Sequence, residues 1–107
     1  MTRREPETAE LRRLRQRINA LDRRIVGMLN ERAELAREVG RAKEAMGRRA
    51  IRDGEREREV LLRVTMANQG PLAQADLLAL YQRLMVATRA LEAQDRARAE
   101  ARSDDID

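Results

Sequence analysis

The chain lacks the two side chains on which much enzyme chemistry depends. Its 107 residues include no cysteine and no histidine. Without cysteine there are no disulfides and no thiol catalysis, and without histidine the commonest metal ligand and the commonest general base are missing. These absences disfavour most hydrolases and metalloenzymes, so any chemistry has to come from charged side chains.

Aromatic residues, prolines and long apolar runs are also scarce. Tyr81 is the only aromatic residue, and no proline occurs between Glu7 and Gly70. A core limited to Leu, Ile, Val, Met and Ala favours helices over sheets. No apolar run approaches the roughly 18 residues of a membrane span, and the N-terminus does not resemble a signal peptide. We therefore expect a cytoplasmic protein of one domain, with no membrane contact and no fused partner.

Charged residues are abundant, at 39% of the chain, and leave a net charge of +4 with both signs intermixed. An excess of positive charge suits either nucleic acid or a small anion. Apart from Tyr81 the chain has no aromatic residue for base stacking, and it has no recognisable nucleic-acid-binding motif. We expect no nucleic-acid partner.

Apolar residues recur at spacings of three and four from Leu11 to Met46. This heptad pattern places them in one apolar stripe along a helix, called the seam below. The seam predicts one helix from about residue 8 to about residue 46, roughly 55 to 60 Å long. A compact chain of this length is only about 35 Å across. The far half of the helix therefore needs a cover from outside, and a second copy around a two-fold axis is the simplest source.

Two further helices follow a loop at residues 47–52. Asp53 is placed to cap or begin a helix that runs to about Ala67, and a turn signal at 68–71 precedes a third helix that starts at Gln74 or Asp76. The sequence thus predicts an all-α protomer of three helices, with a helical domain at 9–97 between flexible tails at 1–8 and 98–107. The residues predicted to give the second and third helices their buried sides are Val60, Leu61, Val64, Leu77, Leu80, Tyr81, Leu84, Met85 and Leu91.

Two cations share one face of the first helix. Arg32 interrupts the seam, and Lys43, eleven residues later, returns to within about 20° of the same direction. Gly40 lies between them, where glycine costs about 1 kcal/mol relative to alanine, so we expect something to approach the backbone there. The alternative for Arg32 is a structural pair with a buried carboxylate that sets the register of the seam.

Arg15 points about 100° away from Arg32 on an ideal helix. The two cannot easily bind one ligand from the same chain, but they can do so in an antiparallel dimer. The alternative is a solvated Arg15, like the neighbouring arginines.

Polar groups also interrupt the buried sides of the other two helices. Glu57 precedes the apolar stripe of the second helix, and Thr88 and Glu92 continue the stripe of the third. The alternative for Glu92 is a surface carboxylate paired with Arg89 or Arg96. Together, inward cations, a hydroxyl and two carboxylates suit a small, dry pocket for a polyanion.

Four segments resemble, in order and spacing, the AroQ-class, or type II, chorismate mutases: Leu14–Asp22, Asn30–Ala36, Val39–Lys43 and Arg52–Glu57. Thr88 and Glu92 follow, so the resemblance runs from about residue 11 to about residue 94. It implies an intertwined, all-helical homodimer whose long first helices span both active sites, and possible association with another shikimate-pathway enzyme.

The resemblance also implies the site and the reaction. Chorismate would rearrange to prephenate, in phenylalanine and tyrosine biosynthesis, with no metal, no cofactor and no covalent intermediate. Arg32, Arg56 and the partner chain's Arg15 would bind carboxylates, and Lys43 and Glu92 would donate to the ether oxygen. Glu57 and the backbone near Asp53 would hold the ring hydroxyl, and Thr88 would also contact the substrate. Some family members carry glutamine where this chain has Glu92.

Two other functions remain open on the sequence. Isochorismate pyruvate lyase shares the fold and similar pocket residues, and eliminates pyruvate from a related substrate. A non-catalytic helical dimerisation module would satisfy the seam and the charged faces without any pocket.

Overall fold

Three α-helices make up the structure, a computed structural model that describes residues 6–48 and 53–105. They are α1 (Ala9–Ala45), α2 (Gly54–Ala67) and α3 (Gln74–Asp105), and no strand occurs in the two described ranges. The predicted all-helical class is confirmed. Parts of the predicted tails and loop, at 1–5, 49–52 and 106–107, lie outside the described residues. None of the three helices combines the length and the apolar character needed to cross a bilayer.

The chain divides into two units, one ending at Glu34 and the other beginning at Leu35. In the first unit, Thr8 caps the start of α1, because its hydroxyl accepts a hydrogen bond from the Leu11 N–H at 3.1 Å. The apolar seam that follows is uncovered, with each of its residues between 39 and 55% exposed. These residues are Leu11, Leu14, Ile18, Leu21, Ile25 and Met28.

Gly47 ends α1, in the second unit. Its φ of 77° is a left-handed conformation that favours glycine. The Gly47 N–H donates to the Glu44 carbonyl and the Arg48 N–H to the Lys43 carbonyl, both at 2.9 Å, which is the Schellman pattern of helix termination. This turn places Lys43 in the last turn of α1.

Asp53 caps α2, as predicted. Its backbone is extended, and its side chain accepts a hydrogen bond from the Arg56 N–H at 3.1 Å. The predicted end at Ala67 is confirmed, and Asn68 closes the turn by accepting from the Gly70 N–H at 2.9 Å. The third helix, α3, begins at Gln74, which is one of its two predicted starts.

The small core of the second unit lies where α2 and α3 face each other. Val60 and Met85 are its buried apolar residues, and Thr88 is buried beside them. Most of the other predicted core residues are half-buried, but Leu80 is 61% exposed. Leu80 lies at the edge of the α3 stripe, which accounts for its exposure.

The last helix continues well beyond the predicted domain boundary at residue 97, to Asp105. Residues 98–105, predicted to form part of a flexible tail, have helical backbone. Alanine, arginine and glutamate are strong helix formers, and no glycine or proline interrupts them. All eight residues are exposed, and their flexibility stays a prediction.

Candidate active site

An open cleft of about 310 Å³ lies between the last turns of α1 and the beginning of α2. Three of the predicted site residues line it together, namely Lys43, Asp53 and Arg56. Val39, Glu55 and Glu59 complete the lining. The helix end at Gly47 and the helix start at Asp53 thus bring a cation and an anion to the same place.

Lys43 has a fixed counter-charge in this cleft. Its Nζ lies 3.6 Å from Oδ2 of Asp53, and only 21% of the lysine side chain is exposed. The hydrogen bond from the Arg56 N–H, followed by the charge of Lys43, holds the pKa of Asp53 below its usual value. Asp53 therefore remains ionised and restrains the ammonium group of Lys43.

Glu92 lies against the backbone of α1. A Cβ added to Gly40 would be 3.9 Å from both Cγ and Cδ of Glu92, so the Glu92 side chain is the group that approaches this glycine. An alanine would make ordinary van der Waals contact there. Glu92 is half-buried, and this burial raises the pKa of its carboxyl group, although the nearby charge of Lys43 opposes the rise. The site thus pairs an ammonium group with a carboxyl group that holds its proton more strongly than usual.

Glu57 and Thr88 are both occupied within the protein. Arg89 donates a hydrogen bond to the Glu57 carboxylate and forms an ion pair with it between α3 and α2. The Thr88 hydroxyl donates to the Leu84 carbonyl at 2.9 Å. While its proton is donated to this carbonyl, the Thr88 hydroxyl cannot also donate to a ligand.

Arg56 lines the cleft with an exposed side chain. Its Nη1 lies 3.2 Å from Oε1 of Glu59, one turn further along α2. Exposed ion pairs of this kind contribute little to stability, so a ligand carboxylate can replace Glu59 at low cost.

The other two predicted site residues lie in the first unit. Arg15 forms an ion pair with Glu7 and is about half exposed. Arg32 is half-buried on α1. Their convergence with the residues of the second unit stays a prediction.

Several ion pairs are not evident from the sequence. Spacing along α3 suggests Arg89 as a partner for Glu92, but Arg89 binds Glu57, and Arg96 pairs with Glu44 at 3.5 Å. Spacing along one helix cannot identify such pairs, because the members lie on different helices. The one available signal is that Arg89 lies four residues after Met85, and so on the same side of α3 as this buried residue.

No group of three or more acidic side chains that could hold a metal ion occurs within residues 6–48 and 53–105.

The sequence model of the family described as chorismate mutase type II matches residues 14–93, more than half of the chain. The chain belongs to the type II chorismate mutase family. The matched range includes all eight predicted site residues of this chorismate mutase domain, from Arg15 to Glu92.

Curated relatives are longer proteins. A bifunctional chorismate mutase/prephenate dehydratase of Stutzerimonas stutzeri is 38% identical over 90 residues, which are 80% of this chain and 25% of that protein. A protein of the same description from Aquifex aeolicus (strain VF5) is 34% identical over 87 residues, which are 78% of this chain and 24% of that protein. The chain thus spans about a quarter of the length of these relatives.

A solved structure has the same fold over most of its length. The form II chorismate mutase from Thermus thermophilus matches with a TM-score of 0.73 at 30% sequence identity. The match covers 78% of this chain and 94% of that one. The three-helix chorismate mutase fold thus accounts for most of the present chain.

Proposed function

We propose that this chain is a chorismate mutase, which rearranges chorismate to prephenate. The observation that carries the proposal is the position of Lys43, held by Asp53 at 3.6 Å and close enough to Glu92 to influence its pKa. Membership of the type II family supports chorismate, a flexible dianion with an ether oxygen, as the substrate of this cluster.

The reaction is a Claisen rearrangement, in which the ether C–O bond breaks while a new C–C bond forms. Electrons move in a ring, no proton is transferred, and no nucleophile is required. The site has two tasks, which are to hold the substrate in its compact reactive shape and to stabilise negative charge on the ether oxygen. An acceleration of about 10⁶ requires about 8 kcal/mol, which positioned charged groups can supply.

Lys43 and Glu92 are the proposed donors to the ether oxygen. The ammonium group is fixed by Asp53, so little reorganisation is needed when charge develops. Glu92 can donate only when protonated, and its raised pKa favours that form. A charged donor and a neutral donor then meet the same oxygen.

The remaining contacts orient the substrate. Arginines bind carboxylates through two parallel hydrogen bonds, which suits Arg32, Arg56 and the partner chain's Arg15. Glu57, which is paired with Arg89, accepts the hydrogen bond of the ring hydroxyl. The backbone near Asp53 also holds this hydroxyl group. Thr88 is proposed to turn its hydroxyl proton from the Leu84 carbonyl to a substrate carboxylate, which it can then bind as a donor.

The proposed active form is a homodimer in which the first helices of two copies pair along their seams. The six seam residues of the first unit, from Leu11 to Met28, are exposed, although a monomer rarely leaves so continuous an apolar stripe in water. A second copy around a two-fold axis would cover both stripes. The same pairing would carry Arg15 of each chain to the other chain's site.

Incubation of the purified protein with chorismate, followed by detection of prephenate, tests the proposal. We expect loss of chorismate with a matching gain of prephenate, because the site holds donors for an ether oxygen and the rearrangement needs no proton acceptor. Formation of pyruvate and salicylate from isochorismate, with no prephenate from chorismate, would identify a lyase instead. Calorimetry that detects no chorismate binding would favour a dimerisation module.

The activity is expected to depend on pH through Glu92. Burial raises the pKa of Glu92, and donation to the ether oxygen needs the protonated form, so kcat/KM should fall as pH rises through that pKa. Glu92→Gln keeps a donor at every pH and should remove this fall. The measurement is kcat/KM from acidic to mildly alkaline pH for both proteins. An alkaline fall that persists unchanged in Glu92→Gln would show that another group titrates.

Association with another enzyme of the same pathway is also proposed. The relatives from S. stutzeri and A. aeolicus are named as chorismate mutase and prephenate dehydratase in one chain. An enzyme that consumes prephenate is therefore the partner class that their names support.

A further inference from the structure

Three contacts join α3 to the last part of α1 around Glu92. Arg37 binds Asp95 through two hydrogen bonds, and Glu44 pairs with Arg96 at 3.5 Å. Between them along α1 lies Gly40, against which the Glu92 side chain rests. Glu92 is thus held one helical turn from a cross-helix ion pair.

The pair of Arg37 and Asp95 has a geometry that fixes orientation. Nε of Arg37 donates to Oδ2 of Asp95 at 2.8 Å, and Nη2 donates to Oδ1 at 2.9 Å. Two parallel bonds from a planar guanidinium constrain both the distance and the rotation of the carboxylate. The hydrogen bond from Arg37 also lowers the pKa of Asp95, so the pair stays charged. Asp95 lies three residues after Glu92 on the same side of α3. Holding Asp95 against Arg37 therefore also fixes the rotation of this part of α3, and with it the direction of the Glu92 side chain.

We propose that Arg37 and Asp95 are positioning residues for Glu92. They lock the rotation of α3 so that the Glu92 carboxyl group stays over Gly40 and beside Lys43, where it can donate to the ether oxygen. Neither residue acts on the substrate directly. The inference rests on the proposed mutase function, because it concerns the geometry of one of its donors.

The charges around Glu92 predict pKa shifts of opposite sign when Arg37 and Asp95 are replaced. The groups that influence its titration are Lys43 on α1 and Arg89, Asp95 and Arg96 on α3. Asp95 is the group among these that raises the Glu92 pKa through its charge, and Arg37, Arg41 and Arg98 act on Asp95 in turn. Asp95→Asn removes a negative charge and should lower the Glu92 pKa. Arg37→Met leaves Asp95 less compensated and should raise it.

The experiment measures kcat and KM against pH for wild type, Arg37→Met, Asp95→Asn and the double variant. Each single change should lower kcat roughly tenfold and leave KM within about twofold, because a misplaced donor affects the transition state more than binding. The double variant should be no worse than either single variant. The alkaline fall should move up in pH for Arg37→Met and down for Asp95→Asn, and neither displacement should occur in a Glu92→Gln background.

Arg63→Met is the matched control. Arg63 also bonds a carboxylate through two nitrogens, at 3.1 and 3.0 Å from Glu59, but within α2. Its kcat should equal that of wild type, and circular dichroism should show unchanged helix content in every variant. Unchanged kcat in Arg37→Met and Asp95→Asn, an equal loss in Arg63→Met, or a loss with no displacement in pH would overturn the positioning role. An inactive wild type would overturn the proposed function itself, and this proposal with it.

Discussion

Replacing Arg32 by alanine is expected to lower kcat/KM for chorismate by about 10³-fold, because a bidentate, charge-assisted contact to a substrate carboxylate is lost. Most of the loss should appear in kcat, since the contact selects the compact reactive shape of the substrate. The measurement is steady-state chorismate consumption by wild type and variant, with the fold checked by thermal unfolding.

The matched control for Arg32 is Arg23→Ala. Arg23 lies on the same part of α1, is exposed, and falls opposite the apolar seam. Its removal should leave activity within about twofold of wild type, as for most surface substitutions. A non-catalytic dimerisation module makes the opposite prediction for Arg32, because a charge removed from a seam should leave the fold unharmed or more stable. Full activity in Arg32→Ala would therefore contradict the proposed site.

Mixing two inactive variants is expected to restore activity. Arg15→Ala and Lys43→Ala should each lose about 10² to 10³-fold as homodimers. If the partner chain supplies Arg15, a mixed dimer has one site with both native residues and one site with neither. Unfolding the two variants together and refolding them should then recover about a quarter of wild-type activity, because half of the dimers are mixed and each has one intact site.

A second mixture distinguishes shared sites from simple recovery of folding. Arg32 and Lys43 are proposed to serve the same site from the same chain, so Arg32→Ala mixed with Lys43→Ala should stay inactive. Recovery in both mixtures, or in neither, would contradict the exchange of Arg15 between chains.

Helix ends could be predicted from the sequence because their signals are local. Gly47 supplies the left-handed residue that ends α1, and Asp53 supplies the cap that starts α2. The extension of α3 to Asp105 could not be predicted from hydrophobic periodicity, because the residues after 97 have little apolar content and are helical through their strong helix propensity.

The candidate site likewise has one feature that could be predicted from the sequence and others that could not. The approach of a side chain to Gly40 follows from the cost of glycine inside a helix, and the structure identifies that side chain as Glu92. The pairing of Arg89 with Glu57, and of Arg37 with Asp95, could not be predicted. Each charged residue has several opposite charges within reach of its helix, and only the packing of the helices in the second unit selects among them.

Asp53 has a consequence for how this protein can change. One of its oxygens caps the first turn of α2, and the other faces the ammonium group of Lys43. Replacing Asp53 by alanine would remove the helix cap and would also release the lysine. Helix capping and donor placement therefore depend on the same carboxylate, and aspartate is the residue that serves both, because asparagine would keep the cap but lose the charge that holds the lysine.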